Sequence, residues 1–560
     1  MIFFNSIILI LFFTLILFSI LGYGLLLSNF LSLNNKNFSF GIYGILGLIF
    51  STLISYLTHI FFPHNIYHNV SFHFIGLVIF FYFFLKNFSS SHKEIKKLFF
   101  LLFTSLIFLF VSKNNEDFPY YHLPYIANIV NHKLQFGIAH FNIAFRTPSS
   151  LFYLQSLFYL PYIKYYLSHS SSLLILIFCN LFLLDKFFFN LKIKKNFFII
   201  ILACLFFVFI NTVFAALAKY GTDRGGQIIS FVIFILILEI LNSKILILEK
   251  CKLIILFIIY LISIKIYFIP YLLLFFVILF LSIKFRILYK LLYDCKFILF
   301  FLFFVFLFFL INFTNSGCLI YPLSFTCFEN FSWSVTLESV QRYNNWYQLW
   351  SKAGAAPNYR VENPEEYIKY FNWVKNWMNN YFFIKVPDTL AAIFLIITYF
   401  LLALRKKKYS INKSTYRYLS LYFFIILFFF LWFYKHPDLR YGGYGLLVSL
   451  FFIPLGLYLS KFNYKDYALK NFFMLTVILV ICSFNLRNIV RVIDEFKRND
   501  NYKYTNFPFY HIDNVSYSEI SLDAGIKVFM VKNHCWATPS PCVTQNIKAK
   551  KIYNYDLFSE

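Results

Sequence analysis

Stretch after stretch of this chain is long enough and apolar enough to cross a bilayer, and nothing else constrains its fold as strongly. A hydrocarbon core of about 30 Å takes roughly 20 apolar residues of helix. Of 560 residues, 60% are hydrophobic and 13% charged. A soluble domain needs more polar surface than that, so the excess apolar residues must face lipid. The pattern predicts an all-α polytopic membrane protein with about fourteen spans: 2–27, 40–62, 70–86, 98–112, 172–190, 197–216, 227–241, 253–268, 269–283, 297–313, 387–404, 418–434, 446–460 and 471–486. The region Lys265–Pro270 holds either a tight hairpin or one long broken helix. The run Ile2–Leu27 is too long for a signal-peptide core and reads as a retained span.

A formal charge of +26 raises nucleic acid as a partner. The distribution argues against it, because Lys and Arg cluster in short loops between apolar runs, which is how membrane topology is encoded. The basic loops Lys86–Lys97, Leu191–Asn196, Lys284–Lys296, Arg405–Arg417 and Lys461–Lys470 all fall on one side, which becomes cytoplasmic. The opposite side receives 113–171, 217–226, 314–386, 435–445 and a tail from 487 to 560. This count requires the apolar, Pro-interrupted segment Leu151–Leu167 to lie in the membrane interface. Were it to cross, Lys192, Lys194 and Lys195 would leave the cytoplasmic side.

Cysteines support the same direction. Of nine, Cys318 and Cys327 lie in the long loop and Cys535 and Cys542 in the tail, all on the side where oxidation is possible. Short spacings favour Cys318–Cys327 and Cys535–Cys542, although four cysteines permit three pairings. Zinc is the rival reading, but no His or further Cys completes a tetrahedral set at familiar spacing.

Candidate chemistry gathers on that outer side. The first loop carries Glu116 and Asp117, followed by Phe-Pro-Tyr-Tyr and His122. Only 24 acids occur in the chain, so an adjacent pair at a helix exit stands out. Such a carboxylate can act as a general base toward a hydroxyl or hold a divalent cation, whereas a polar helix end is the bland alternative. The second loop places Asp223 and Arg224 among three glycines, and Arg suits a phosphate through its planar fork of donors. A simple turn with a charge pair would look the same. Lys265 sits in an apolar run, where an ionisable residue is a functional candidate unless it snorkels to the interface. Lys435-His436-Pro-Asp438-Leu-Arg440 precedes a Gly pair and is either an anion site or a turn. The loop 314–386 is rich in Trp, Tyr and Asn. Aromatic planes with amide donors suit sugar rings, and interfacial Trp belts are the competing explanation. Glu338 and Arg342, four residues apart, are placed to pair along a helix.

Taken in order, these features resemble the GT-C class of polyprenyl-phosphate-dependent glycosyltransferases. An acidic motif follows a helix, Arg146-Thr-Pro148-Ser-Ser-Leu-Phe-Tyr153-Leu resembles the Pro- and aromatic-led interfacial stretch of that class, Asp223 supplies a further acid, and Lys265 matches a recurrent Lys in a later span. The likeness is best over 98–313. Residues 1–97 are extra spans, 314–386 a large external loop, 387–486 further spans and 487–560 an external tail. The Cys318–Cys327 loop and the Cys535-Trp536…Pro541-Cys542 tail resemble bacterial membrane proteins allied to this class.

The resemblance implies a sugar moved from a polyprenyl phosphate to an envelope glycan, lipid or protein, on the periplasmic or extracellular face of a bacterial inner membrane. Asp117 would be the general base or a ligand of Mg or Mn, with Glu116 beside it. Asp223 would share that metal or orient substrate. Arg224, Lys265 and Arg440 would meet the lipid phosphate, where a preorganised cation stabilises developing charge, and His122 would contact substrate. The alternatives are an envelope polysaccharide polymerase and a lipid or solute transporter. Transport would predict internal repeats with matched broken helices, and none is evident.

Overall fold

A computed structural model of the chain describes residues 2–560 apart from 34–38, 87, 112–115, 194–195, 215–216, 219–220, 243–246, 285–286, 356–360, 405–417, 463, 465, 499–506, 510–511 and 513–514. The basic loop Arg405–Arg417, Lys194 and Lys195 therefore lie outside the described residues, as does Lys113 at the start of the acidic loop.

The chain is a helical membrane protein. Among the described residues, nine helices are long and apolar enough to span a bilayer, from Ile2–Phe30 to Tyr467–Lys497. Three shorter apolar helices, Phe197–Val213, Leu419–Lys435 and Gly443–Leu459, accompany them. All fourteen expected segments are at least partly helical, but nine meet the length and composition of a full span. Segment 98–112 falls in the end of a polar-led helix, Phe88–Ser105, and a 3-10 turn, Leu106–Phe110. Near Lys265 the helix Ile247–Ile264 stops, Lys265 is extended, and a 3-10 stretch, Ile266–Leu273, follows.

Burial sorts the helices into a centre and a rim. The central apolar stretch of Tyr165–Phe188 is wholly enclosed, and Phe197–Val213 and Thr222–Leu241 are mostly so. The rim helices present Phe74, Phe81, Leu302, Phe306, Leu395 and Leu402 outward. A surface of that kind belongs in lipid. Within the centre, Asn180 and Asn211 exchange side-chain hydrogen bonds at 2.9 and 3.0 Å, joining two buried helices.

The first three long helices approach closely because glycine removes the side chain at their crossings. A Cβ at Gly22 would lie 2.1 Å from the carbonyl oxygen of Gly76. Small residues at such contacts allow backbone-to-backbone packing, which drives helix association in lipid.

Leu151–Leu167 is not one continuous helix. It forms a seven-residue helix, Ser150–Ser156, whose residues are all buried, followed by turns. Ser156 Oγ meets His64 Nδ1 at 2.7 Å, and Asn69 donates to the Ser156 carbonyl at 2.8 Å. Residues 150–158 are packed inside protein, whereas Tyr162 and Lys164 in the turns that follow are exposed.

The last long helix continues to Arg498, past its expected end at 486. Beyond it the chain forms a small β unit. Strand β1 (Ser518–Ser521) pairs antiparallel with β2 (Lys527–Met530), which pairs parallel with β3 (Cys542–Val543). Strand β4 (Lys548–Ile552) and β5 (Tyr555–Ser559) form an antiparallel hairpin, Lys548 facing Ser559 and Ile552 facing Tyr555. Both expected disulfides, Cys318–Cys327 and Cys535–Cys542, are formed.

Candidate functional site

The site is assembled from three separate connections between helices. Asp117 ends the first, immediately before the π-helical turn Phe118–His122 and its Pro119. Asp223 lies in the first turn of the helix Gly221–Asn242, where the partial positive charge of a helix N-terminus favours a carboxylate. Arg440 sits in the 3-10 turn Leu439–Tyr441. The buried Asp438 side chain caps this turn by accepting from the Arg440 N–H at 2.8 Å, and Gly442 leaves it at φ 95°. That left-handed conformation suits glycine.

Arg440 joins the other two. Its Nη2 is 2.6 Å from Asp117 Oδ2 and its Nε is 2.5 Å from Asp223 Oδ2. Lys265 Nζ lies 3.6 Å from the other oxygen of Asp223. Two acids and two bases thus face each other, with Asp223 almost wholly buried. The frame is hydrogen-bonded from behind. Gln227 donates to the carbonyls of Leu439 and Arg440 at 3.3 and 3.0 Å and accepts from the Gly445 N–H at 3.0 Å. The Tyr267 hydroxyl reaches the carbonyls of Asp223 and Arg440, each at 3.3 Å. Tyr381 donates to Asp438 at 2.7 Å, and burial pushes the Asp438 carboxyl above the usual carboxylate range.

This quartet lines a cavity of about 1860 Å³. Glu116, exposed, and Arg224 line it as well. Arg224 lies 5.6 Å from the ring of Tyr444 and 5.8 Å from that of Phe214. Away from the charges the walls turn apolar, with Ile396, Phe428, Leu431, Leu479 and Val480. His122 is not among the lining residues. It is buried against Phe152, its Nε2 lacks a hydrogen-bond partner, and burial pushes its pKa down to about 4. It is therefore neutral near pH 7.

Sequence reasoning missed several contributors. Lys385 and Asp388 line the cavity from the helix Phe383–Leu404, and neither carried a local motif. Gln227 and Tyr267 stand beside residues that were singled out, and their supporting role depends on Arg440 arriving from far along the chain. Glu338 and Arg342 form no ion pair with each other among the described residues. Arg342 instead lines the cavity.

The tail meets the first loop directly. The Trp536 N–H donates to the Pro119 carbonyl at 3.0 Å, two residues from Asp117. Phe136 brackets β5, donating to Asp556 O and accepting from the Phe558 N–H, each at 2.9 Å. Thr544 donates to the Phe141 carbonyl at 3.0 Å.

A family model covers most of this architecture, matching residues 7–447 as a domain of unknown function, DUF8201. The chain belongs to the DUF8201 family. That match takes in Glu116, Asp117, Asp223, Lys265 and Arg440 and stops short of the tail. No curated protein and no solved structure matches the chain.

Mg or Mn does not fit the arrangement. Arg440 stands between the two carboxylates that would have to share the ion. Among the described residues no group of three or more His, Cys, Asp and Glu is gathered as a metal site would need.

Proposed function

We propose that this protein transfers a sugar from a polyprenyl phosphate to an envelope acceptor, on the external face of a bacterial inner membrane. The observation that carries the reading is the convergence of Asp117 and Asp223 on Arg440 in a large cavity that also has an apolar stretch of wall. A prenyl chain needs apolar walls, and its phosphate needs cations close to a general base.

In this reading Asp117 takes the proton of the acceptor hydroxyl. The hydroxyl oxygen attacks the anomeric carbon, the bond from that carbon to the phosphate oxygen breaks, and polyprenyl phosphate leaves with the electron pair. Lys265 and Arg440 stabilise the negative charge gathering on the leaving phosphate, a contribution that preorganisation makes large. Arg440 also fixes Asp117, which gives it an orienting role besides the one expected of it. Glu116 is exposed to the same cavity and raises the local negative potential toward an incoming hydroxyl.

The test is direct. Protein in lipid nanodiscs is given labelled polyprenyl-phosphate sugars and envelope acceptors. Wild type consumes the lipid-linked sugar, and Asp117→Asn slows consumption by roughly 10²-fold or more, the usual worth of a general base. No consumption by wild type with any acceptor would sink the reading.

A further inference from the structure

The tryptophans of the loop 314–386 divide into two kinds. Trp333, Trp373 and Trp377 spend their indole N–H groups on the backbone carbonyls of Phe313, Tyr370 and Pro437, at 3.1, 3.0 and 2.7 Å. Trp373 and Trp377 are buried, and these three hold structure. Trp346 differs: it is 42% exposed and lines the cavity rather than the hydrophobic core.

Trp346 belongs to the helix Leu337–Lys352, which is built to stay in place. Thr336 caps it by accepting from the Ser339 N–H, Glu338 occupies its first turn and Lys352 its last, as the helix dipole favours. Arg146 clamps it to the first loop, donating to Ser339 Oγ at 2.6 Å and lying 4.8 Å from the ring of Tyr343. Val340 and Leu349 are buried, whereas Asn344, Trp346, Gln348 and Trp350 line the cavity. The rings of Trp346 and Trp350 stack with centroids 5.6 Å apart and an interplanar angle of 28°.

Stacked indole planes flanked by two amides, in a cavity that also holds carboxylates, match one ligand chemistry well. A sugar ring offers an apolar C–H face to an aromatic plane and hydroxyls at its edge to amide donors and acceptors. An extended peptide of small polar side chains offers no such flat apolar face.

We propose that the Trp346–Trp350 shelf, with Asn344 and Gln348, is a saccharide-binding subsite, so that the acceptor is a glycan. The glycan's role as acceptor rests on the sugar-transfer reading of the cavity, whereas the binding of saccharide does not.

The test uses the full chain in nanodiscs and saturation-transfer NMR, with maltotetraose and cellotetraose as probes and a serine-containing tetrapeptide as control. Wild type transfers saturation to sugar ring protons and not to the peptide. Trp346→Ala weakens saccharide binding by about tenfold, Trp346→Phe by less, because a smaller aromatic plane remains. Both variants keep the wild-type melting temperature, since Trp346 is exposed. No signal from either tetrasaccharide, a peptide signal as strong, or equal binding by Trp346→Ala overturns the proposal. Retention of labelled polyprenyl-phosphate sugar is measured on the same preparation. Saccharide bound without any retention of the lipid upholds the shelf and overturns the transfer reading; lipid retained without saccharide overturns the shelf alone.

Discussion

Asp223 and Arg440 stand 217 residues apart in the chain and 2.5 Å apart in space, and the same guanidinium reaches Asp117 across a separation of 323 residues. The contact ties three inter-helix connections into one unit. Its energetics depend on the burial of Asp223. Removing the cation leaves a nearly buried carboxylate without its closest partner, a change that costs up to about 3 kcal/mol for a pair that is only partly enclosed. Arg440→Ala is therefore expected to lower the melting temperature in detergent clearly. Asp117→Ala should lower it less, since Asp117 is 25% exposed at its side chain. The double variant Arg440→Ala/Asp223→Asn should recover part of the loss. Equal melting of Arg440→Ala and wild type would show that the pair contributes no stability.

The tail disulfide carries a second expectation. The Cys535–Cys542 bridge closes the loop that begins with Trp536, whose N–H holds Pro119. Cys535→Ser/Cys542→Ser should raise amide hydrogen exchange in 118–123 together with the tail, because local opening follows the loss of packing and hydrogen bonds. The Cys318–Cys327 bridge lies in the long loop, and its removal should leave 118–123 unchanged. Matching effects from both pairs would mean that exchange reports global loosening.

Acid should destabilise the protein through its buried histidines. Burial pushes His122 and His436 down to about 4 from an ordinary 6.5. Between those values the unfolded chain binds more protons than the folded one, so stability rises with pH through that window and is lost as pH falls from about 6.5 toward 4. Melting temperatures recorded from pH 7 to 4 should fall, and His122→Phe should flatten part of the fall. An unchanged slope in that variant would remove His122 from the account.

The crossing of the first long helix with Ile66–Lys86 leaves no room for a side chain. Gly22→Leu should reduce the yield of monodisperse protein sharply, because the nearest obstacle is the backbone of Gly76, 2.1 Å from the added Cβ, rather than a flexible side chain. Leu11→Ala, at an exposed position of the same helix, should not. Size-exclusion profiles of the two variants decide the matter.

Much of the architecture was legible because membrane helices announce themselves locally. Apolar run length alone located Phe40–Phe61, Ile66–Lys86 and Cys295–Ser316 to within a few residues. Segment 151–167 defied that logic: composition makes it apolar, but only its neighbours decide whether apolar side chains meet lipid or protein. Cysteine spacing paired Cys318 with Cys327 and Cys535 with Cys542, because short loops close readily.

The sequence by itself determined that the chain lives in a membrane, that Glu116, Asp117 and Asp223 are scarce acids in polar connections, and that four cysteines lie in loops fit for bridging. Only the tertiary structure decided that Asp117 and Asp223 share Arg440, that His122 is buried outside the cavity, and that Trp536 holds the turn after Asp117. The reason is physical. Spans and short bridges follow from the properties of contiguous residues, whereas an ion pair across hundreds of residues exists only once helix packing has brought its members within reach.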